Sequence, residues 1–223
     1  MDRGFTLWFT GLSGAGKTTL AEMLRNELRG RDRLVELLDG DVVRTHLSKG
    51  LGFSREDRDT NILRIGWVCE VLTRNGVIAM ASAISPYRET RDQVRAMVGD
   101  FVEVHVDTSL DECIRRDVKG LYQQAIDGKI PEFTGISDPY EAPLSPEIRI
   151  VTEDKTPEAC VQQILSWLEA NGYLQPQAVP DTAVSTEVEA TPVPAASASA
   201  STGGYSEEEE AEVSARLEAL GYL

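Results

Sequence analysis

The 223-residue sequence predicts an α/β fold, a doubly wound parallel β-sheet flanked by helices, on three observations. Short apolar runs alternate with amphipathic helical stretches from residue 5 to residue 170, a pattern that demands crossovers on both faces of a parallel sheet. The first run leads through a Gly-rich turn into a helix and carries G-x-x-x-x-G-K-[ST] over residues 11–18. The run 77–83 (VIAMASA) is apolar without alternation, as a central strand covered on both faces should be.

Each element follows in order. Residues 5–9 (FTLWF) read as a short buried strand, and the apolar positions Leu20, Ala21, Met23, Leu24 and Leu28 make the next stretch a helix. Residues 34–38 (LVELL) form a second strand that ends in Asp39-Gly40-Asp41, and 42–47 a short helix. A broad apolar face (Ile62, Leu63, Ile65, Val68, Cys69, Val71, Leu72) makes 55–74 a long helix. After the central strand come a helix at 88–97, a strand at 101–106 and a helix at 110–118. Residues 120–146 are rich in Gly, Pro and polar side chains and read as a lid or binding loop. A last strand at 148–151 and a helix at 157–170 close the domain, with Pro157 in the first turn and Gly172 just past the end.

The strand, turn and helix around residues 11–18 are the context that a phosphate-binding P-loop needs, so the fold is of the P-loop NTPase type. Glycines let successive N–H groups point inward, and the helix N-terminus adds partial positive charge. Gly11, Ser13, Gly14, Ala15, Gly16, Lys17, Thr18 and Thr19 are therefore the ATP-binding set. Lys17 is placed to reach the terminal phosphates, and the Thr18 hydroxyl to ligate the Mg²⁺ that accompanies ATP.

Composition narrows the function. A formal charge of −15 argues against nucleic acid or an anionic membrane as partner. Cys69, Cys113 and Cys160 are far apart and odd in number, which reads as free thiols in a reducing compartment. No apolar run approaches membrane-spanning length and no signal-peptide pattern opens the chain, so a cytoplasmic protein is expected. Three regions are expected: a P-loop domain at 1–174, a disordered, Ala/Ser/Thr/Pro-rich linker at 175–204 and an acidic helix at 205–223. LEANGYL at 168–174 recurs as LEALGYL at 217–223, which is either an ordinary helix end used twice or a docking peptide for another subunit or protein.

A P-loop specifies a nucleotide but not a reaction. There is no N-K-x-D to read guanine, and a small domain with a late Gly/Pro-rich lid points to phosphoryl transfer onto a small molecule. In such a sheet ligands bind at the carboxyl ends of the strands, which selects Asp39 and Asp41 to hold metal and receive a hydroxyl proton. Arg44, Arg58 and Asn61 follow on two helices, with Arg58 and Asn61 three apart on one face, and guanidinium forks suit an acceptor that is itself an anion. A kinase for a sugar or another nucleotide, and an adaptor with lapsed chemistry, remain the alternatives at this point.

Six ordered blocks carry a resemblance: GLSGAGKTT, LDGDVVR (38–44), GLGFSREDRDTNILR (50–64), AISPYRETRDQVR (83–95), RRDVKGLYQQA (115–125) and IPEFTGISDPYEAP (130–143). Together they resemble the adenylylsulfate (APS) kinase family over nearly all of residues 4–174. The resemblance implies transfer of phosphate from ATP, with Mg²⁺, to the 3′-hydroxyl of adenosine 5′-phosphosulfate, giving 3′-phosphoadenosine 5′-phosphosulfate, in a homodimer. By similarity Phe53 and Phe133 stack on the acceptor's adenine, and Arg44, Arg58, Asn61 and Lys119 hold its phosphosulfate and ribose, with Ile84 and Ser85 beside them. Asp39 and Asp41 serve the 3′-hydroxyl and the metal, while Arg116 and Lys155 lie near ATP. The family is held to use the serine at position 85 as a phosphoserine intermediate, whereas in-line transfer needs no covalent step. Val42 stands where the family has Asn, and Thr60 where it has Glu.

Overall fold

The computed structural model describes residues 3–176. β1 (Phe5–Thr10), β2 (Val35–Asp39), β3 (Ile78–Ser82), β4 (Phe101–Asp107) and β5 (Ile148–Val151) form one sheet in the order β2-β3-β1-β4-β5. Every adjacent pair is parallel. The helices are α1 (Lys17–Gly30), α2 (Gly40–His46), α3 (Arg55–Arg74), α4 (Arg88–Val98), α5 (Leu110–Arg116), α6 (Leu121–Ile126) and α7 (Pro157–Ala170).

The central strand β1 shows how alternation builds two layers. Phe5, Leu7 and Phe9 join the core beneath α1 and α7, with Leu24, Leu28, Ile164 and Leu168. Trp8 points to the other face, where it packs with Ile62, Ile65 and Cys69 of α3 and Val94 of α4. All of β1 and β3 is buried, as the unbroken apolar run of β3 requires. Local signals set the helix starts: Ser54, Ser109 and Thr156 each accept a hydrogen bond from the N–H three residues on, satisfying one orphan donor of α3, α5 and α7.

Two expectations need correction. The helix expected at 110–118 stops at Arg116, because Asp117 turns into a positive φ of 24° and its carboxylate receives the N–H groups of Tyr122 and Gln123. That carboxylate starts α6 inside the stretch read as irregular, with Tyr122 and Ala125 as its buried side. The expected linker and acidic helix, apart from Gln175 and Pro176, lie outside the described residues. Among those described, no helix is long and apolar enough to cross a membrane.

Candidate active site

The strand ends gather most of the residues that the sequence singled out. A cleft of about 580 Å³ is lined by Ser13, Gly14, Gly16, Lys17, Thr18 and Thr19 from the turn after β1 and the start of α1. Asp39 and Asp41 line it from the end of β2, Arg44 from α2, and Arg58 and Asn61 from α3. Ile84 and Ser85 follow β3, and Lys119, Phe53 and Phe133 complete the wall. The phosphate loop and both phenyl rings thus share one cavity. Gly11 and Ala15 support the loop without lining the cleft. Gly11 has φ of 151°, and a Cβ there would sit 2.5 Å from the Val106 carbonyl oxygen, so only glycine fits against β4.

Lys17 is buried, and its ammonium donates to the carbonyls of Gly11 (3.0 Å) and Leu12 (2.9 Å). Burial pushes its pKa down to about 8, with Lys119 adding to the depression and Cys113, Asp39 and Asp41 opposing it. Beside it lies an oxygen cluster: the Thr18 hydroxyl donates to Asp39 Oδ2 at 2.8 Å and lies 3.3 Å from Ser82 Oγ. Asp39 Oδ1 accepts from the Asp41 N–H at 3.0 Å, capping α2, and Asp41 pairs with Lys119. A hydroxyl and carboxylate at the mouth of a phosphate loop suit Mg²⁺, which binds through few protein oxygens and takes the rest from water and phosphate.

A second group of lining residues is aromatic and cationic. Phe53 is 58% exposed, with the Arg44 guanidinium 4.3 Å from its ring centroid. Phe133 packs edge-on against Tyr122 at 5.1 Å, and the Tyr122 hydroxyl donates to the Ser13 carbonyl at 2.9 Å. Arg44 Nη1 also donates to the Gly52 carbonyl at 2.9 Å. Arg58 is tied to the lid: Nε donates to Phe53 O at 2.6 Å, and the two Nη atoms to Thr134 Oγ1 and Glu132 O. The buried Asn61 Oδ1, on a residue that lines the cleft, has no hydrogen-bond partner among the described residues.

Ser85 is buried at φ of 40°, a region non-glycine residues rarely adopt. Its hydroxyl accepts from Trp8 Nε1 at 3.0 Å and lies 3.5 Å from Ala83 O; neither neighbour is a base. Arg116 and Lys155 do not line the cleft. Arg116 is held by Glu112 (2.8 Å) and Thr152 (3.3 Å), and Lys155 by Gln163 (3.0 Å). Sequence reasoning missed Ser82, Tyr122, Glu132 and Thr134. Only Tyr122 gave a signal, as an aromatic in a polar stretch.

The family model described as adenylylsulphate kinase matches residues 3–151. The adenylyl-sulfate kinase of Picosynechococcus sp. is 57% identical over 174 residues, 78% of this chain and 98% of the relative. That of Gloeothece citriformis is 58% identical over 174 residues, 78% of this chain and 99% of the relative. Among solved structures, the Mycobacterium tuberculosis APS kinase in complex with AMPPNP and APS is 42% identical with a TM-score of 0.72, covering 76% of this chain and 99% of that one. On the match of its sequence, its sheet and its phosphate loop, the chain belongs to the adenylylsulfate kinase family.

Proposed function

We propose that this chain transfers the γ-phosphoryl group of ATP to the 3′-hydroxyl of adenosine 5′-phosphosulfate, releasing ADP and 3′-phosphoadenosine 5′-phosphosulfate. The observation that carries the reading is the single cleft lined both by Lys17 and Thr18 and by Phe53, Arg44, Arg58, Asn61 and Phe133. An anionic adenine nucleotide needs both a flat apolar wall and fixed cations; a sugar acceptor would leave the rings without a partner.

The loop N–H groups and Lys17 bind the phosphates of ATP, and the Lys17 ammonium leaves the Gly11 and Leu12 carbonyls to follow the charge that develops on the transferred group. Thr18 and Asp39 would hold Mg²⁺, which would supply neutralisation of phosphate charge when bound. Both Asp39 oxygens are engaged, by Thr18 and by the Asp41 N–H. We therefore assign the acceptor hydroxyl's proton to Asp41, which pairs with Lys119. Arg44 and Asn61 contact the acceptor's anionic and polar groups, while Arg58 holds Glu132 and Thr134, which flank Phe133 in the wall of the cleft. Ser85 serves as a wall with no covalent step, since its hydroxyl is bonded to an indole rather than to a base. Arg116 and Lys155, beyond the cleft proper, are assigned to ATP on the family resemblance alone.

Coupled ADP release across a panel of alcohols tests this. Turnover with adenosine 5′-phosphosulfate and none with gluconate or shikimate is expected; the reverse would overturn the reading.

A further inference from the structure

We propose that Arg91, outside the cleft, is a positioning residue that registers the two walls of the acceptor half against each other. The inference rests on the acceptor reading above. Arg91 lies on α4 and is 2% exposed. Its three nitrogens go to three separate segments. Nε donates to Glu103 Oε1 of β4 at 2.8 Å, Nη1 to the Ser85 carbonyl at 2.6 Å, and Nη2 to the Glu141 carbonyl at 2.7 Å. Ser85 belongs to the wall after β3, and Glu141 to the chain returning from the segment that carries Phe133.

The surrounding bonds show that these two segments are fastened as a unit. The Glu141 N–H donates to Pro86 O at 2.9 Å, Glu141 Oε2 accepts from the Arg88 N–H at 2.9 Å, and Arg88 Nε donates to Ala142 O at 2.7 Å. One residue earlier, the Tyr140 hydroxyl lies 3.0 Å from Thr10 Oγ1, which itself donates to Ile84 O at 2.7 Å. The anchor for Arg91 is braced in turn. Glu103 also meets Arg95 at 3.3 Å, and Arg95 holds Glu147 through bonds of 2.6 and 2.9 Å.

Ser85 shows why such a clamp is needed. A serine at positive φ persists only where its surroundings over-determine it, and here Trp8 holds the hydroxyl while Arg91 holds the carbonyl. Losing Arg91 frees the Ile84–Ser85 wall to relax and loosens the chain around Glu141 that returns from Phe133. The ATP loop makes no bond to Arg91, so the effect falls on the acceptor alone. A lysine retains the charge but presents a point donor that cannot serve three divergent acceptors at once.

Arg91→Lys should raise KM for adenosine 5′-phosphosulfate about tenfold, the equivalent of one charge-assisted hydrogen bond, while KM for ATP stays within about twofold. Added guanidinium ion should recover acceptor binding in Arg91→Ala. Tyr140→Phe, which keeps the ring and loses only the bond to Thr10, should move the same KM in the same direction by a smaller factor, and it stands in if the arginine variants do not fold. An unchanged acceptor KM, or equal rises for acceptor and ATP, would overturn the inference. If the unsubstituted enzyme does not turn over this acceptor at all, the functional reading fails instead, and the two failures are separable.

Discussion

Lys17 carries its charge where burial disfavours it. With a folded pKa near 8 against 10.5 for a free lysine, it holds fewer protons than in the unfolded chain between those values. Stability must therefore rise with pH through that window as far as this group is concerned, since the strain of the buried cation is relieved when both states are neutral. Phosphate binding has the opposite demand, because it needs the ammonium. The affinity for ATP should be flat below about pH 8 and fall toward tenfold per pH unit above it. Isothermal titration at several pH values checks this, and Lys17→Ala should remove the break. The same substitution should cut kcat by roughly 10²–10³, the usual loss for one preorganised donor on the reacting group. Phe53→Ala should weaken the acceptor and spare ATP, because the ring packs against Arg44, one of the cations assigned to the acceptor; steady-state KM values for the two substrates decide it.

At the scale of elements, α3 and α4 approach so closely that a Cβ on Gly66 would lie 2.7 and 2.9 Å from the two methyl carbons of Val94. Val94 is fully buried and β-branched, so it cannot swing aside. Gly66→Ala gains about 1 kcal/mol of helix propensity but incurs about 1–3 kcal/mol of overpacking. The crossing should win: thermal unfolding is expected at lower temperature, by about 2–4 °C for each kcal/mol lost, with partial recovery on adding Val94→Ala. An alanine variant that melts higher would show that the helices separate at little cost. Most elements were legible because their signals are local: the unbroken apolar run of β3, the broad apolar face of α3, the Pro157 start of α7. α6 was not legible, since six residues with two buried positions give no period to read. Its start is dictated by the Asp117 carboxylate, four residues before Leu121 and at a helix end whose turn the sequence does not announce.

For the molecule as a whole, the site was legible where a motif spells out chemistry and illegible where charges pair across the fold. Gly11, Lys17 and Thr18 declare a phosphate loop at any distance from the acceptor. Arg91 and Glu103 look like surface charges in sequence, because only the fold brings α4 against β4 and buries the pair. Arg58, offered by the sequence as an anion ligand, also donates to Phe53 O, Thr134 Oγ1 and Glu132 O, partners that only the fold brings to it. The relatives also bear on the extent of the machinery: 174 matched residues take up 98% of the Picosynechococcus enzyme. A chain cut after Pro176 should therefore keep kcat/KM for both substrates within about twofold, a change of under 0.5 kcal/mol. If that cut also leaves the assembly state and partner capture unchanged, the docking role suggested by the repeated LEALGYL falls away.

The most direct test of the account follows the transferred group itself. The enzyme is supplied with ATP labelled in the γ-phosphate and with adenosine 5′-phosphosulfate, and the labelled product is isolated and digested with a 3′-nucleotidase. The account predicts label on an adenine nucleotide that retains its sulfate and loses the label on 3′-dephosphorylation. Label recovered only as inorganic phosphate, on the protein at Ser85, or at a position resistant to the 3′-nucleotidase would contradict it.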